Sequence, residues 1–281
     1  MPIPVAPMED ELGDVLDKAM RHAGLTEEDV AERAGIAPSR IADAVDYRSD
    51  LTSGELRKLA DILSLNEVGL CALGCGTYPL PELPCAPFRI DALRMQHGIG
   101  VANAYVISEP QSGSGILFDT GPGLDALLTT WPAHVRALEG VFLTHVEGEH
   151  AGGLCDVVER FAARAAFCPA GAKAPCTEPV REGERMEFSM CSVRVFSTPG
   201  HASAHNCYLV ESRRLPRATP ILISGDLFFA GSVGGAHFCH RQLLQNVRRV
   251  LADLPPQTIV CPGHGPMTTV ENERRYNPFV V

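Results

Sequence analysis

No run of about 18 uninterrupted apolar residues occurs in this 281-residue chain, so no membrane-spanning helix is expected. The stretch from Met1 to Asp10 has neither a basic segment nor an apolar one behind it. That predicts no secretory signal and a cytoplasmic location. Zinc-type cysteine spacing is also missing: Cys71 and Cys75 enclose three residues, and no second pair matches them. The chain is too long, and at 45% apolar residues too rich in core, to need its ten cysteines as a disulfide scaffold. Cys155, Cys168, Cys191, Cys207, Cys239 and Cys261 sit in apolar sequence and read as small, reduced, buried hydrophobes.

Positive charge is scarce near the start. Residues 9–70 hold fifteen Asp/Glu against seven Lys/Arg, which accounts for most of the net charge of −10. The same segment reads as short helices. Leu12, Val15, Leu16 and Ala19 share one helical face, and Gly24 stops that helix. Thr26 with Asp29 can cap a second helix that runs to Gly35. Pro38 and Ser39 open a third, and Thr52 or Ser53 a fourth that carries Leu56, Leu59, Ile62 and Leu63. The run from Gly24 through Thr26, Ala31, Gly35 and Pro38 to Ile41 resembles the lambda-repressor-like helix-turn-helix family. In that family the second helix of the motif enters the major groove. The charge argues against it here, because phosphate contacts dominate DNA affinity. Glu27, Glu28 and Asp29 crowd the motif's first helix, and Arg40 is followed by Asp43 and Asp46. DNA binding is therefore disfavoured, and a helical interaction or homodimerisation module is expected at 9–74. Gly and Pro from residue 75 to 86 mark a linker.

From residue 87 to 281 apolar runs alternate with turns, which argues an α/β layered domain. Strands are expected at Val101–Ile107, Gly115–Phe118, Val141–Leu143, Val193–Phe196, Cys207–Val210, Ile221–Ile223 and Ile259–Cys261. Helices are expected within 124–138 and at Leu154–Ala163 and Gln242–Leu251. One pattern repeats: an apolar strand, a small or glycine-bearing turn, then a metal-ligand side chain. Leu143-Thr144 leads to His145, Pro199-Gly200 to His201, Ser224-Gly225 to Asp226, and Pro262-Gly263 to His264. Sites in α/β sheets gather at such strand ends. The loop from His145 to His150 also carries Glu147 and Glu149, so four ligand-type side chains fall within six residues. Together these predict a metal site. Residues 232–240 are expected to border the cleft, with His237 and His240 as candidate contacts.

These residues resemble the metallo-β-lactamase superfamily from about residue 87 to the end. Its signature is T-H-x-H-x-D-H-x-G-G, then a His after Pro-Gly, an Asp after a strand and a late His. Asp119-Thr120-Gly121 resembles the family's early turn. Thr198 to Tyr208, Ser224 to Phe229, and Pro262 to Pro266 are similar to the glyoxalase II-like branch. The resemblance implies a four-layer αββα sandwich and two divalent metal ions. His145, Glu147 and His201 would hold the first ion, and Glu149, His150 and His264 the second, with Asp226 bridging. It implies hydrolysis of a small-molecule ester, thioester or lactone by a metal-bound hydroxide. Asp226 and Glu149 would be the catalytic carboxylates, and His205 and Tyr208 would contact substrate.

Two positions depart from the signature: Glu147 stands where the family has His, and Glu149 where it has Asp. Added carboxylate shifts preference from zinc toward iron or manganese. Glu147 is similar to the glutamate of flavodiiron proteins, which bind two irons. The alternatives are thus a non-haem (di)iron redox or oxygen-binding protein, and a non-enzymatic regulator that senses metal or ligand.

Overall fold

The computed structural model describes residues 6–109 and 111–281. Part of the segment read for a secretory signal, residues 1–5, lies outside the described residues. No helix among those described is long and apolar enough to cross a membrane.

The acidic N-terminal segment forms five helices: α1 (Leu12–Ala23), α2 (Glu27–Ala34), α3 (Pro38–Val45), α4 (Ser53–Ile62) and α5 (Glu67–Gly74). Their ends follow from local chemistry. Thr26 accepts from the Asp29 amide while the Asp29 carboxylate accepts from the Thr26 amide, a reciprocal cap. Thr52 and Glu55 repeat the device at α4. Gly24 and Gly35 close α1 and α2 with φ of 65° and 60°. The fifth helix was not expected. Its run Val68-Gly69-Leu70-Cys71-Ala72-Leu73 lacks a polar face, so periodicity does not show it.

Two six-stranded sheets follow. The first contains β1 (Arg89–His97), β2 (Gly100–Ser108), β3 (Ser114–Phe118), β4 (Ala137–Phe142), β5 (Ala166–Pro169) and β6 (Glu178–Val180), hydrogen-bonded in that order. Helices α6 (Leu124–Thr130), α7 (Gly148–Ala151) and α8 (Leu154–Arg160) lie along this half of the chain. The second sheet is built from β7 (Arg185–Glu187), β8 (Cys191–Ser197), β9 (Asn206–Ser212) and β10 (Ile221–Gly225). After the small hairpin β11 (Phe228–Phe229) and β12 (Ser232–Val233) come α9 (His240–Asp253), β13 (Ile259–Pro262), β14 (Thr268–Thr269) and α10 (Val270–Tyr276). Its strand order is β14-β13-β10-β9-β8-β7.

Three apolar clusters define the layers. Phe118, Phe142, Val195, Tyr208, Ile223 and Cys261 fill the space between the sheets. Leu117, Val141 and Leu143 turn to the other side, against Leu127, Leu154 and Val157 of α6 and α8. Phe196, Leu209, Leu222 and Val260 face Leu243 and Val247 of α9, in a cluster that continues into the N-terminal helices through Leu16, Leu56 and Leu70. The helices are therefore not a detached bead. The Asn66 amide donates to Pro278 O at 2.7 Å, and a Cβ at Gly69 would overlap the Tyr276 carbonyl. His22 of α1 stacks on His240 of α9 with ring centroids 3.1 Å apart.

Strand direction explains where a site can form. β3 and β4 are parallel, as are β10 and β13. β8 runs antiparallel to β9, which runs antiparallel to β10, so β8 and β10 point the same way. Their carboxyl ends meet at one edge of the sandwich.

Candidate metal centre

That edge gathers Asp119 after β3, His145 after β4, His201 after β8, Asp226 after β10 and His264 after β13. His145, His150, His201 and Asp226 are buried, with His145 and His150 at 0% exposure.

Each imidazole is oriented by a partner at Nδ1. Thr144 Oγ1 donates to Asp119 Oδ2 at 2.9 Å, so it can only accept from His145 Nδ1, also 2.9 Å away. Asp119 Oδ2 accepts from His150 Nδ1 at 3.1 Å. The carbonyl of Gly235 accepts from His201 Nδ1 at 2.7 Å, and that of Val101 from His264 Nδ1 at 2.9 Å. Every ring thus spends its proton outward and turns an Nε2 lone pair inward.

The inward atoms converge. His150 Nε2 lies 3.3 Å from His264 Nε2 and 3.5 Å from Asp226 Oδ1. His264 Nε2 and His201 Nε2 lie 3.4 and 3.7 Å from Asp226 Oδ2. Glu147 Oε1 stands 3.2 Å from His201 Nε2. Yet the Nε2 atoms of His145 and His201 and Oδ1 of Asp226 are buried without a hydrogen-bond partner. Lone pairs facing lone pairs in a buried space repel unless a cation sits between them. Two overlapping groups have the compactness a divalent ion needs: His145, Glu147 and His201, and His145, His150 and Asp226. Imidazole and carboxylate donors suit zinc, iron or manganese.

The electrostatics of these side chains reflect the crowding. Burial opposes charge on Asp226, but His150 and His264 hold its carboxyl well below the usual range. Burial and neighbouring His150 push His145 well below the imidazole range. Burial works against protonating His264 too, but Asp226 and Glu9 raise it to about 9.

The backbone is shaped around Asp226. A Cβ at Gly263 would overlap Asp226 Oδ1. Asn103 holds that turn, donating to Pro262 O at 3.1 Å and Gly265 O at 2.9 Å, and Tyr105 donates to Pro262 O at 2.9 Å. The first sheet thereby positions the second sheet's His264.

Three expected residues stand elsewhere. Glu149 joins neither group; its longer side chain carries Oε2 to within 4.0 Å of His97 Nε2 on β1. The sequence reading assigns His205 and Tyr208 to substrate, but the structure buries both. His205 Nε2 accepts from the Asp226 amide at 3.2 Å, and its Nδ1 donates to Thr198 Oγ1 at 2.8 Å. Burial and nearby His201 hold it near pKa 3, hence neutral. Tyr208 donates to Leu143 O at 2.6 Å inside the sandwich. These two side chains brace the loops that carry Asp226 and His145. Of the rim candidates, exposed His237 sits edge-on to His201 at 5.1 Å between centroids, whereas His240 faces the helices.

Sequence reasoning gave no role to Glu9 and His97. Glu9 Oε1 reaches within 3.8 Å of His264 Nδ1, and burial raises its carboxyl. It precedes the helices and follows no motif, so only the packed chain brings it here. Asp119 had a signal in Asp119-Thr120-Gly121, but its task of orienting two histidines appears only in three dimensions.

Comparison with known proteins agrees with this geometry. The family model for the metallo-β-lactamase superfamily matches residues 97–264. A hydroxyacylglutathione hydrolase from Halorhodospira halophila is 30% identical over 167 residues, covering 58% of this chain and 62% of the relative. This chain thus spans less than two thirds of that relative's length. The crystal structure of the B3 metallo-β-lactamase BLEG-1 superposes with a TM-score of 0.58 at 23% identity, covering 69% of this chain and 99% of its own. A di-iron-bound protein, TTHA1623, superposes with a TM-score of 0.51 at 27% identity, covering 66% of this chain and 98% of its own. The chain belongs to the metallo-β-lactamase superfamily.

Proposed function

We propose that this protein is a metal-dependent hydrolase of a small-molecule thioester, ester or lactone. The observation that carries the reading is the buried set of unpartnered lone pairs on His145, His201 and Asp226, completed by His150 and His264. The likeness to a hydroxyacylglutathione hydrolase favours a thioester. Divalent ions in such a site supply Lewis acidity and lower the pKa of water toward neutrality. The protein's own part is orientation. Asp119 and Thr144 fix the tautomers of His145 and His150, and His205 fixes the Asp226 backbone. Asp226 lies between the two histidine groups, where its strongly acidic carboxylate stays ionised and can face an ion on either side. Half-buried Glu147 and exposed His237 line the side of His201 open to a substrate.

The test pairs metal analysis of protein purified without chelator with turnover of a hydroxyacyl thioester. Bound metal and chelator-sensitive thioester cleavage are expected. Metal-loaded protein inert toward thioesters, esters and lactones would overturn the proposal.

One observation favours a second reading. Glu147 puts a carboxylate 3.2 Å from His201 Nε2, where the family pattern has imidazole. That harder donor set supports non-haem iron, and the likeness to a di-iron-bound protein agrees with it. Iron content with dioxygen consumption, and no hydrolysis, would select this reading.

A further inference from the structure

Cys155 departs from the expectation of a small buried thiol, and a second exposed cysteine lies beside it. Cys155 of α8 and Cys176 in the turn before β6 are both exposed, while Cys168, Cys191, Cys207 and Cys261 are buried. The Cys155 and Cys176 Sγ atoms stand 3.4 Å apart. Neither belongs to the groups that converge at the sheet edge. Cys176 also adopts φ of 59°, an uncommon backbone for a residue other than glycine. The turn therefore holds this thiol against α8 at some conformational cost.

We propose that Cys155 and Cys176 are a redox-responsive thiol pair that closes a disulfide between α8 and the turn before β6. A disulfide needs sulfurs about 2.05 Å apart, so closure asks for roughly 1.4 Å of further approach. Both side chains are exposed, so a small oxidant can reach either sulfur. The oxidant is a low-molecular-weight disulfide. One cysteine thiolate attacks a sulfur of the oxidant, forms a mixed disulfide and releases one small thiol. The second cysteine thiolate then attacks the protein sulfur of that mixed disulfide and releases the other small thiol. Two electrons pass from the two cysteines to the oxidant, and their two protons end on the released thiols. The adjacent Cys176 thiol holds Cys155 above the usual thiol range, so exchange accelerates as pH rises.

The location gives the bond a consequence. α8 starts at Leu154, directly after Gly152 and Gly153, which end the loop bearing His145, Glu147 and His150. Closure ties that helix to the turn before β6, the last strand of the first sheet, without touching an imidazole.

The full-length protein is incubated with oxidised glutathione at mildly alkaline pH, then alkylated and mapped by mass spectrometry. The expected result is loss of two thiols and two hydrogens, with one cross-linked peptide pair containing Cys155 and Cys176, reversed by dithiothreitol. Cys155→Ser and Cys176→Ser should each abolish the cross-link and leave a stable glutathione adduct on the remaining cysteine. Separate glutathione adducts on both wild-type cysteines, or two unmodified thiols in excess oxidant, would overturn the proposal.

Discussion

In the N-terminal helices the charged side chains answer one another. Arg40 places Nε and Nη2 on the two carboxylate oxygens of Glu55, both at 2.8 Å, and Arg48 pairs with Asp43 and Asp46. At the sheet edge the opposite holds. Four imidazoles are held from behind, and their front atoms crowd around one carboxylate. Both regions are rich in ligand-type residues, yet among the described residues only the sheet edge groups imidazole and carboxylate atoms compactly enough for an ion. The contrast teaches that acidic or histidine-rich composition is not itself a site; what marks one is an unmet polar atom with its neighbours locked. It also bears on the helix-turn-helix likeness, because an Arg40 already engaged by Glu55 is a poor phosphate ligand.

Asp226→Asn should break the contrast most severely. Removing the carboxylate shared by His150, His201 and His264 should strip metal and lower turnover by more than about 100-fold, the upper figure for outer partners. Metal analysis and thioester assay on the same preparation check it. Gly263→Ala attacks the same carboxylate sterically, since the added methyl overlaps Asp226 Oδ1. We expect metal loss together with destabilisation of about 1–3 kcal/mol, read by denaturant unfolding. Retained stoichiometry in this variant would show that the turn relaxes.

Thr144→Val removes the group that accepts from His145 Nδ1 and leaves Asp119 short of a donor. Metal affinity should fall by about 10–100-fold, measured by competition with a chromophoric chelator. The two glutamates divide more finely. Glu147→Gln should weaken the ion near His201, whereas Glu149→Gln should leave metal content unchanged. Equal losses in both would mean that Glu149 swings inward when an ion binds.

The smallest effect belongs to the helix interface. Burial and neighbouring His240 hold His22 near pKa 3, below its unfolded value of about 6.5. Between these values the unfolded chain binds the extra proton. His22 therefore contributes stability that is fully present above about pH 6.5 and lost as pH falls toward 3. His22→Asn should make the thermal midpoint decline less steeply over that window than wild type. An unchanged slope would show that His22 is protonated without cost.

Legibility followed burial pattern. β2, β8, β10 and β13 could be read because their buried apolar runs end in turn residues. β6 and β7 could not, since Glu178-Pro179-Val180 and Arg185-Met186-Glu187 are short and mostly exposed. β1 was hidden because Asp91, Arg94 and Gln96 interrupt its apolar residues. The predicted helix at 154–163 ends at Arg160, where Phe161 and then Ala162, at φ of 46°, leave helical geometry.

The sequence by itself determined the strand-end positions of His145, His201, Asp226 and His264, because apolar runs and glycine turns are local signals. It also carried the exchange of His and Asp for Glu147 and Glu149. Only the tertiary structure decided which of those side chains meet. Local sequence cannot specify that Val101 and Gly235 offer carbonyls to distant histidines, that Glu149 turns to His97, or that Glu9 closes on His264. Those partners lie in separate elements, and the packing of two sheets and the N-terminal helices sets their distances to within an ångström.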